Sequence, residues 1–195
     1  ALRKAIVKGE VFPGGFCQPI FLENSKVFLT SMDSEIEEDS AKISLYFVSR
    51  EVFIALTKEE LSRPGGLPSF QELRAEGKLE LLQVEKENVL SGGLRAVGRN
   101  ILTLSYPWQA VDDPDSTNDR YAVAMAQLTK HPELTHVWWD YMSLPQSTKN
   151  KRYIRNRFEE WYFRYMLKEG VSLLYISTTV LCIVNASYTQ RFWTQ

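Results

Sequence analysis

Polar and aromatic residues gather at three short places in this chain, each directly after an apolar run. Ser105-Tyr106-Pro107-Trp108 follows the first run. Trp138-Trp139-Asp140-Tyr141 follows the second and continues through Met142-Ser143-Leu144-Pro145-Gln146. Asn185-Ala186-Ser187-Tyr188 follows the third. Aromatic rings beside one carboxylate and several hydroxyls suit a nucleotide, because rings stack on a base and Asp140 can accept from ribose hydroxyls. A plainer alternative stands beside that reading: Trp138 or Trp139 packs under helices, and Asp140 caps the turn that follows it.

Other chemistry is poorly served. Ser105, His131 or His136, and Asp140 have the residue types of a catalytic triad, but neither His stands at a strand end that would aim it at Ser105. Ser91-Gly92-Gly93 lacks the spacing of a phosphate loop and the Lys-Ser/Thr that follows in one. His, Cys and carboxylates nowhere take metal-ligand spacing. Lys149, Lys151, Arg152, Arg155 and Arg157 form the basic run of the chain. It reads as a solvated loop and helix start, with a phosphate-contacting patch as the minor alternative.

The polar segments need elements to hold them. Residues 100–105 read as a short apolar strand, and 119–130 as a helix with Tyr121, Met125 and Leu128 on one face, ended by His131-Pro132. Residues 135–140 read as a second strand. A long helix over 153–176 follows, with Ile154, Phe158, Trp161 and Tyr165 along its stripe and Gly170 as an interruption. Residues 179–184 form a third strand, continuously apolar as a strand buried on both faces should be, and Ser187 N-caps a last helix. This alternation predicts parallel strands with right-handed crossovers, in spatial order second, first, third. Ligands of such sheets bind beyond the carboxyl ends of the strands, so Ser105, Trp108, Asp140 and Tyr188 are expected to line one cleft. Trp161 and Tyr165 are expected to face the sheet, with Arg157 and Lys168 in water.

Residues 1–95 read as a β-rich N-terminal region. Within it, 42–56 make one or two strands with a turn at Arg50-Glu51. Thr57 and Ser69 N-cap short helices, the first with Glu60 at the capping-box position, and 78–84 form a strand. Ser91-Gly92-Gly93 is the seam to an α/β domain over 96–195. Three strands leave two open edges, so the N-terminal strands are expected to cover one and complete the sheet.

Composition sets the outer limits. The 195 residues are 44% hydrophobic and 24% charged with a net charge of −1, an ordinary globular balance that offers no global field for nucleic acid or an anionic membrane. Five Trp, nine Tyr and ten Phe point to a core of large side chains. Cys17 and Cys182 have apolar neighbours and read as buried thiols of a reduced, intracellular protein. No apolar run is long enough to span a bilayer. The chain starts at Ala1 without a signal-peptide pattern, which leaves a removed targeting segment, and so an organelle, open.

Three segments carry a resemblance. NILTLSYPW (100–108) resembles the opening strand of TIR domains and the Ser-Tyr-Arg-like turn that ends it. HVWWDYMSLPQ (136–146) resembles their second strand and loop, and more closely the W-I-D-x-L-C-I-x-Q segment of fungal heterokaryon-incompatibility (HET) domains, which are TIR relatives. LYISTTVLCIVNASYTQRFWTQ (174–195) resembles the third strand and the helix with a Ser-x-x-Trp-Cys-x-x-Glu-like run, on which Ser187, Trp193 and Thr194 take comparable places. The resemblance covers about half of the chain and implies a flavodoxin-like (TIR-like) parallel sheet. It departs from the family in three ways. Three strands stand where TIR domains have more. Pro107 stands where Arg is common. The catalytic Glu of NAD-cleaving relatives, one helical turn beyond that Trp, would fall past Gln195. The function it implies is a protein-interaction or assembly module that contacts other protein subunits or a larger assembly and requires no cofactor. The alternative is an NAD glycohydrolase-like enzyme with NAD or another nucleotide as ligand. Candidate ligand contacts are Ser105, Tyr106, Trp108, Trp139, Asp140, Tyr141, Gln146, Ser187, Tyr188 and Trp193.

Overall fold

A computed structural model describes residues 42–63, 66–86, 99–109, 112–149 and 152–184. Five strands form one open sheet: β1 (Lys42–Ser49), β2 (Leu79–Glu85), β3 (Ile101–Ser105), β4 (His136–Trp138) and β5 (Thr179–Cys182), in spatial order β2-β1-β4-β3-β5. The expected order of the last three strands is observed. β3 pairs in parallel with β4 on one side (Leu102↔Val137) and with β5 on the other (Thr103↔Val180). The N-terminal strands also act as expected. β1 lies antiparallel against β4 (Val48↔Val137) and β2 antiparallel against β1 (Leu45↔Leu82), so the edge of β4 is covered within the same sheet. The result is a mixed α/β unit with a parallel core. The seam expected at Ser91-Gly92-Gly93, Cys17 and everything expected before residue 42 lie outside the described residues.

Helices fill the connections. After β1 come α1 (Arg50–Ile54), α2 (Lys58–Leu61) and α3 (Phe70–Ala75). α4 (Asp119–Lys130) joins β3 to β4. α5 (Asp140–Ser143), α6 (Arg157–Tyr165), a π-helical turn (Met166–Gly170) and α7 (Val171–Ser177) join β4 to β5. The expected capping box forms, and the expected cap at Ser69 proves to be a second one. Thr57 and Glu60 close one, Ser69 and Glu72 the other, each satisfying two end N–H groups reciprocally. The strand expected over 42–56 ends at Ser49, and Arg50 opens α1 in place of a turn into a second strand. Its Nη1 donates to the carbonyls of Leu128 (2.6 Å), His131 (3.2 Å) and Leu134 (3.3 Å), placing a cation at the carbonyl end of α4.

Three further expectations are corrected. The first concerns β5, which has no buried residue, only exposed and half-buried ones, because it is the outer strand of the described sheet, and its Cys182 is exposed. An apolar run alone does not separate a strand with two neighbours from an edge strand. The second concerns the long helix. It starts at Arg157, capped by Asn156, and Ile154 before it is 68% exposed. Phe158 is buried as expected, but the stripe continues through Tyr162 and Met166, one position past the expected Trp161 and Tyr165. Tyr162 decides the rotation: its Oη donates to Ser44 O (3.2 Å) and accepts from Tyr46 N (3.3 Å) on β1. Trp161 and Tyr165 stack on each other, half-buried, and Tyr165 Oη reaches the sheet by donating to Lys42 O (3.2 Å) on β1, while Arg157 and Lys168 are in water as expected. The third concerns 139–143. Trp139 leaves the strand, and Met142 and Ser143 belong to α5 rather than a loop.

A buried acid anchors the second helical turn. Glu60 accepts from Lys78 Nζ (2.7 Å) and from Thr57 N (2.8 Å), and these hold its carboxyl at about 2, well below its usual 4.5. A depressed carboxylate stabilises the fold fully above its unfolded pKa, and that contribution is lost as pH falls through the folded value. Glu60→Gln is therefore expected to cost about 1–3 kcal/mol at pH 7 in urea unfolding. The difference from the parent should shrink steadily between pH 4.5 and pH 2. A difference independent of pH would show that the charge contributes nothing.

Candidate functional site

The carboxyl ends of β3 and β4 are held by a chain of hydrogen bonds. Successive strand residues point to opposite faces, so Trp138 and Trp139 part company at the end of β4. Trp139 is fully buried against Phe53 of α1 and Tyr106, and its Nε1 donates to Tyr106 Oη. Tyr106 Oη donates in turn to Asp140 Oδ1 (2.8 Å). From the other side Trp108 Nε1 reaches Asp140 Oδ2 (3.2 Å) and Oδ1 (3.4 Å). Asp140 Oδ1 also accepts from Tyr141 N (2.7 Å); Asp140 is the first residue of α5 rather than its cap, the N-cap position being Trp139 with no side-chain cap bond. Trp108 packs edge-on against Tyr141, which is itself buried, with its hydroxyl pKa pushed up by desolvation.

Gln146 closes the turn. Its Nε2 donates to the carbonyls of Asp140 (3.2 Å), Tyr141 (3.2 Å) and Leu144 (2.6 Å). Its backbone exchanges two further bonds with the Gln71 amide of α3. One side chain thus satisfies the carbonyl end of a helix too short to satisfy itself.

Beside this network lies a cavity of about 190 Å³. Trp108, Trp138 and Asp140 form its wall at the strand ends, and Leu144, Gln146 and Ser147 its loop side. Phe163, Leu167, Val171 and Tyr175 supply the helical wall, with Arg155 at one corner. Those four helical residues are spaced by four. Residues four apart drift by about 40° round an α-helix, so Phe163 and Tyr175 would stand about 120° apart on a regular one. The π turn between them holds one extra residue and takes up most of that drift. Gly170 makes the turn compact: a Cβ there would sit 2.5 Å from Met166 Cε.

The Arg155 side chain is 15% exposed. Its Nε donates to Pro145 O (2.7 Å), its Nη1 pairs with Glu160 (3.3 Å), and its guanidinium lies 3.4 Å from the centre of the Phe163 ring. Burial lowers its pKa despite the Glu160 bond. Trp138 is 2% exposed, and its Nε1 meets no acceptor.

Of the expected residues, the structure brings Trp108, Asp140 and Gln146 to one cavity. Ser105, Tyr106, Trp139 and Tyr141 are core residues behind it, and Ser105 O accepts from Ile183 N (2.8 Å). Ser187, Tyr188 and Trp193 lie outside the described residues. Arg155 and the helical wall were not singled out. Arg155 departs from the solvated run expected of it, whereas Arg152, Arg157 and Lys149 are all exposed as expected. The repeat Phe163, Leu167, Val171, Tyr175 was a legible signal, because a strict spacing of four asks for a wide turn. Among the described residues no His, Cys and carboxylate cluster could hold a metal, and no helix is long and apolar enough to cross a membrane. No family model, no curated protein and no solved structure matches this chain.

Proposed function

We propose that this chain is a protein-interaction or assembly module on a TIR-like, flavodoxin-like frame, and that its cavity serves binding rather than catalysis. The order β4-β3-β5 supports the frame, since it is the 2-1-3 start of the flavodoxin-like order. The observation that carries the function is the state of Asp140. It is the one acid in the described cavity lining, and Tyr106, Trp108 and Tyr141 all donate to it. A carboxylate that stabilises an oxocarbenium-like ribose must face that ribose. This one holds an indole wall in place. Ile154, Ile176 and Val184, each about two-thirds exposed, offer apolar contacts to other protein subunits. The reading requires no cofactor, nucleic acid or membrane span.

One observation favours the rival reading, cleavage of NAD at its glycosidic bond: the cavity sits where ligands of parallel sheets bind. Nicotinamide release from NAD by the purified chain decides between them. The expected result is no release above the buffer rate. Turnover abolished by Asp140→Ala would make Asp140 the catalytic acid and overturn the proposal.

A further inference from the structure

The cavity beside Trp108 is small and poor in spare charge. An apolar cavity of roughly 150 Å³ holds benzene, and drug-sized pockets run from roughly 300 Å³ upward. A volume of about 190 Å³ therefore suits one compact ring system and falls short of a dinucleotide. Trp108 is held by its Nε1 bonds to Asp140 and by Tyr141 edge-on, so little ordering is left to the moment of binding. The electrostatics discriminate further. Arg155, the cation in the lining, already answers Glu160 and Pro145 O and is laid over Phe163. Asp140 places a carboxylate in the same wall. A phosphate or carboxylate entering here would lose its water, meet Asp140, and gain no uncompensated positive charge.

We infer that this cavity binds one neutral aromatic molecule of about two fused rings against Trp108 and excludes anionic ligands, nucleotides among them. The inference rests on the reading of the cavity as a binding site rather than a catalytic one. Titration calorimetry with indole and with indole-3-acetate tests it, since the two share a ring system and differ in charge. Indole is expected to bind, and indole-3-acetate to bind at least about tenfold more weakly. Leu167→Trp, at a side chain 45% exposed, should fill the cavity from its rim and abolish indole binding while circular dichroism stays unchanged. Trp108→Ala should weaken indole binding as well. Indole-3-acetate binding as tightly as indole, indole binding untouched by Leu167→Trp, absence of binding up to the solubility of indole, or displacement of indole by NAD would each overturn the inference. The NAD-release assay fails or succeeds separately, so loss of the module reading and loss of the neutral-ligand reading are told apart.

Discussion

Gly66→Ala is expected to cost roughly 2–5 kcal/mol of unfolding free energy, adding left-handed backbone strain to an overpacked contact. Gly66 has φ +74°, and a Cβ there would stand 1.8 Å from the carbonyl oxygen of Asp115 and 2.4 Å from its carbon. Both are backbone atoms, so the two loops must part. Asp115 has little freedom to move. It is fully buried, and its carboxylate accepts from Tyr121 N (2.8 Å) and Arg120 N (3.1 Å) at the start of α4. The same loop returns to Gln109 through Asp113 O (3.0 Å), next to the cavity wall at Trp108. Gly77→Ala is the control. Its φ is +65°, but nothing lies within 4 Å of a Cβ there, so strain acts alone and the loss should be about 1 kcal/mol. Urea unfolding of both variants separates the terms. Equal losses would show that the loops part freely.

Trp139→Ala is expected to cost about 3–5 kcal/mol, a large share of the roughly 5–15 kcal/mol that holds a domain of this kind together. The ring is fully buried between Phe53 and Tyr106, so its removal leaves a cavity that both faces line. It also strips a donor from Tyr106 Oη, which passes its own hydrogen to Asp140. Trp139→Phe keeps most of the ring and loses the N–H, and should cost about 1–2 kcal/mol. A loss below about 1 kcal/mol for Trp139→Ala in denaturant would mean the core closes over the gap.

The parallel half of the fold was legible because each of its strands is a short apolar run followed by a helix start, and handedness then leaves few orders. The Thr57–Glu60 capping box and the Ser69 cap were equally legible, being local rules with fixed spacing, and Glu72 follows the same rule. What stayed hidden depends on distant partners. The rotation of α6 is set by Tyr162 reaching Ser44 and Tyr46 on β1, more than a hundred residues away, and no stripe within the helix contains that fact. Arg155 looked like its basic neighbours until Phe163 and Pro145 closed round it. Asp140 was found by position and misjudged in freedom. Its polar and aromatic neighbours signalled a ligand site, yet three of them are its hydrogen-bond donors.

The wide turn in the crossover helix also fixes where this protein can change length. Tyr162 and Leu174 both face the core, yet they are twelve residues apart, and twelve regular steps would leave them about 120° out of phase. Eleven steps would leave them only about 20° apart. The turn Met166–Gly170 therefore behaves as an insertion already absorbed. Loss of one residue there, such as the exposed Lys168, would heal the helix to a regular one and keep Tyr162 and Leu174 on the same side. The same deletion within α6 would have no such slack to draw on. Length variation in this helix belongs at that one turn, on the wall of the cavity.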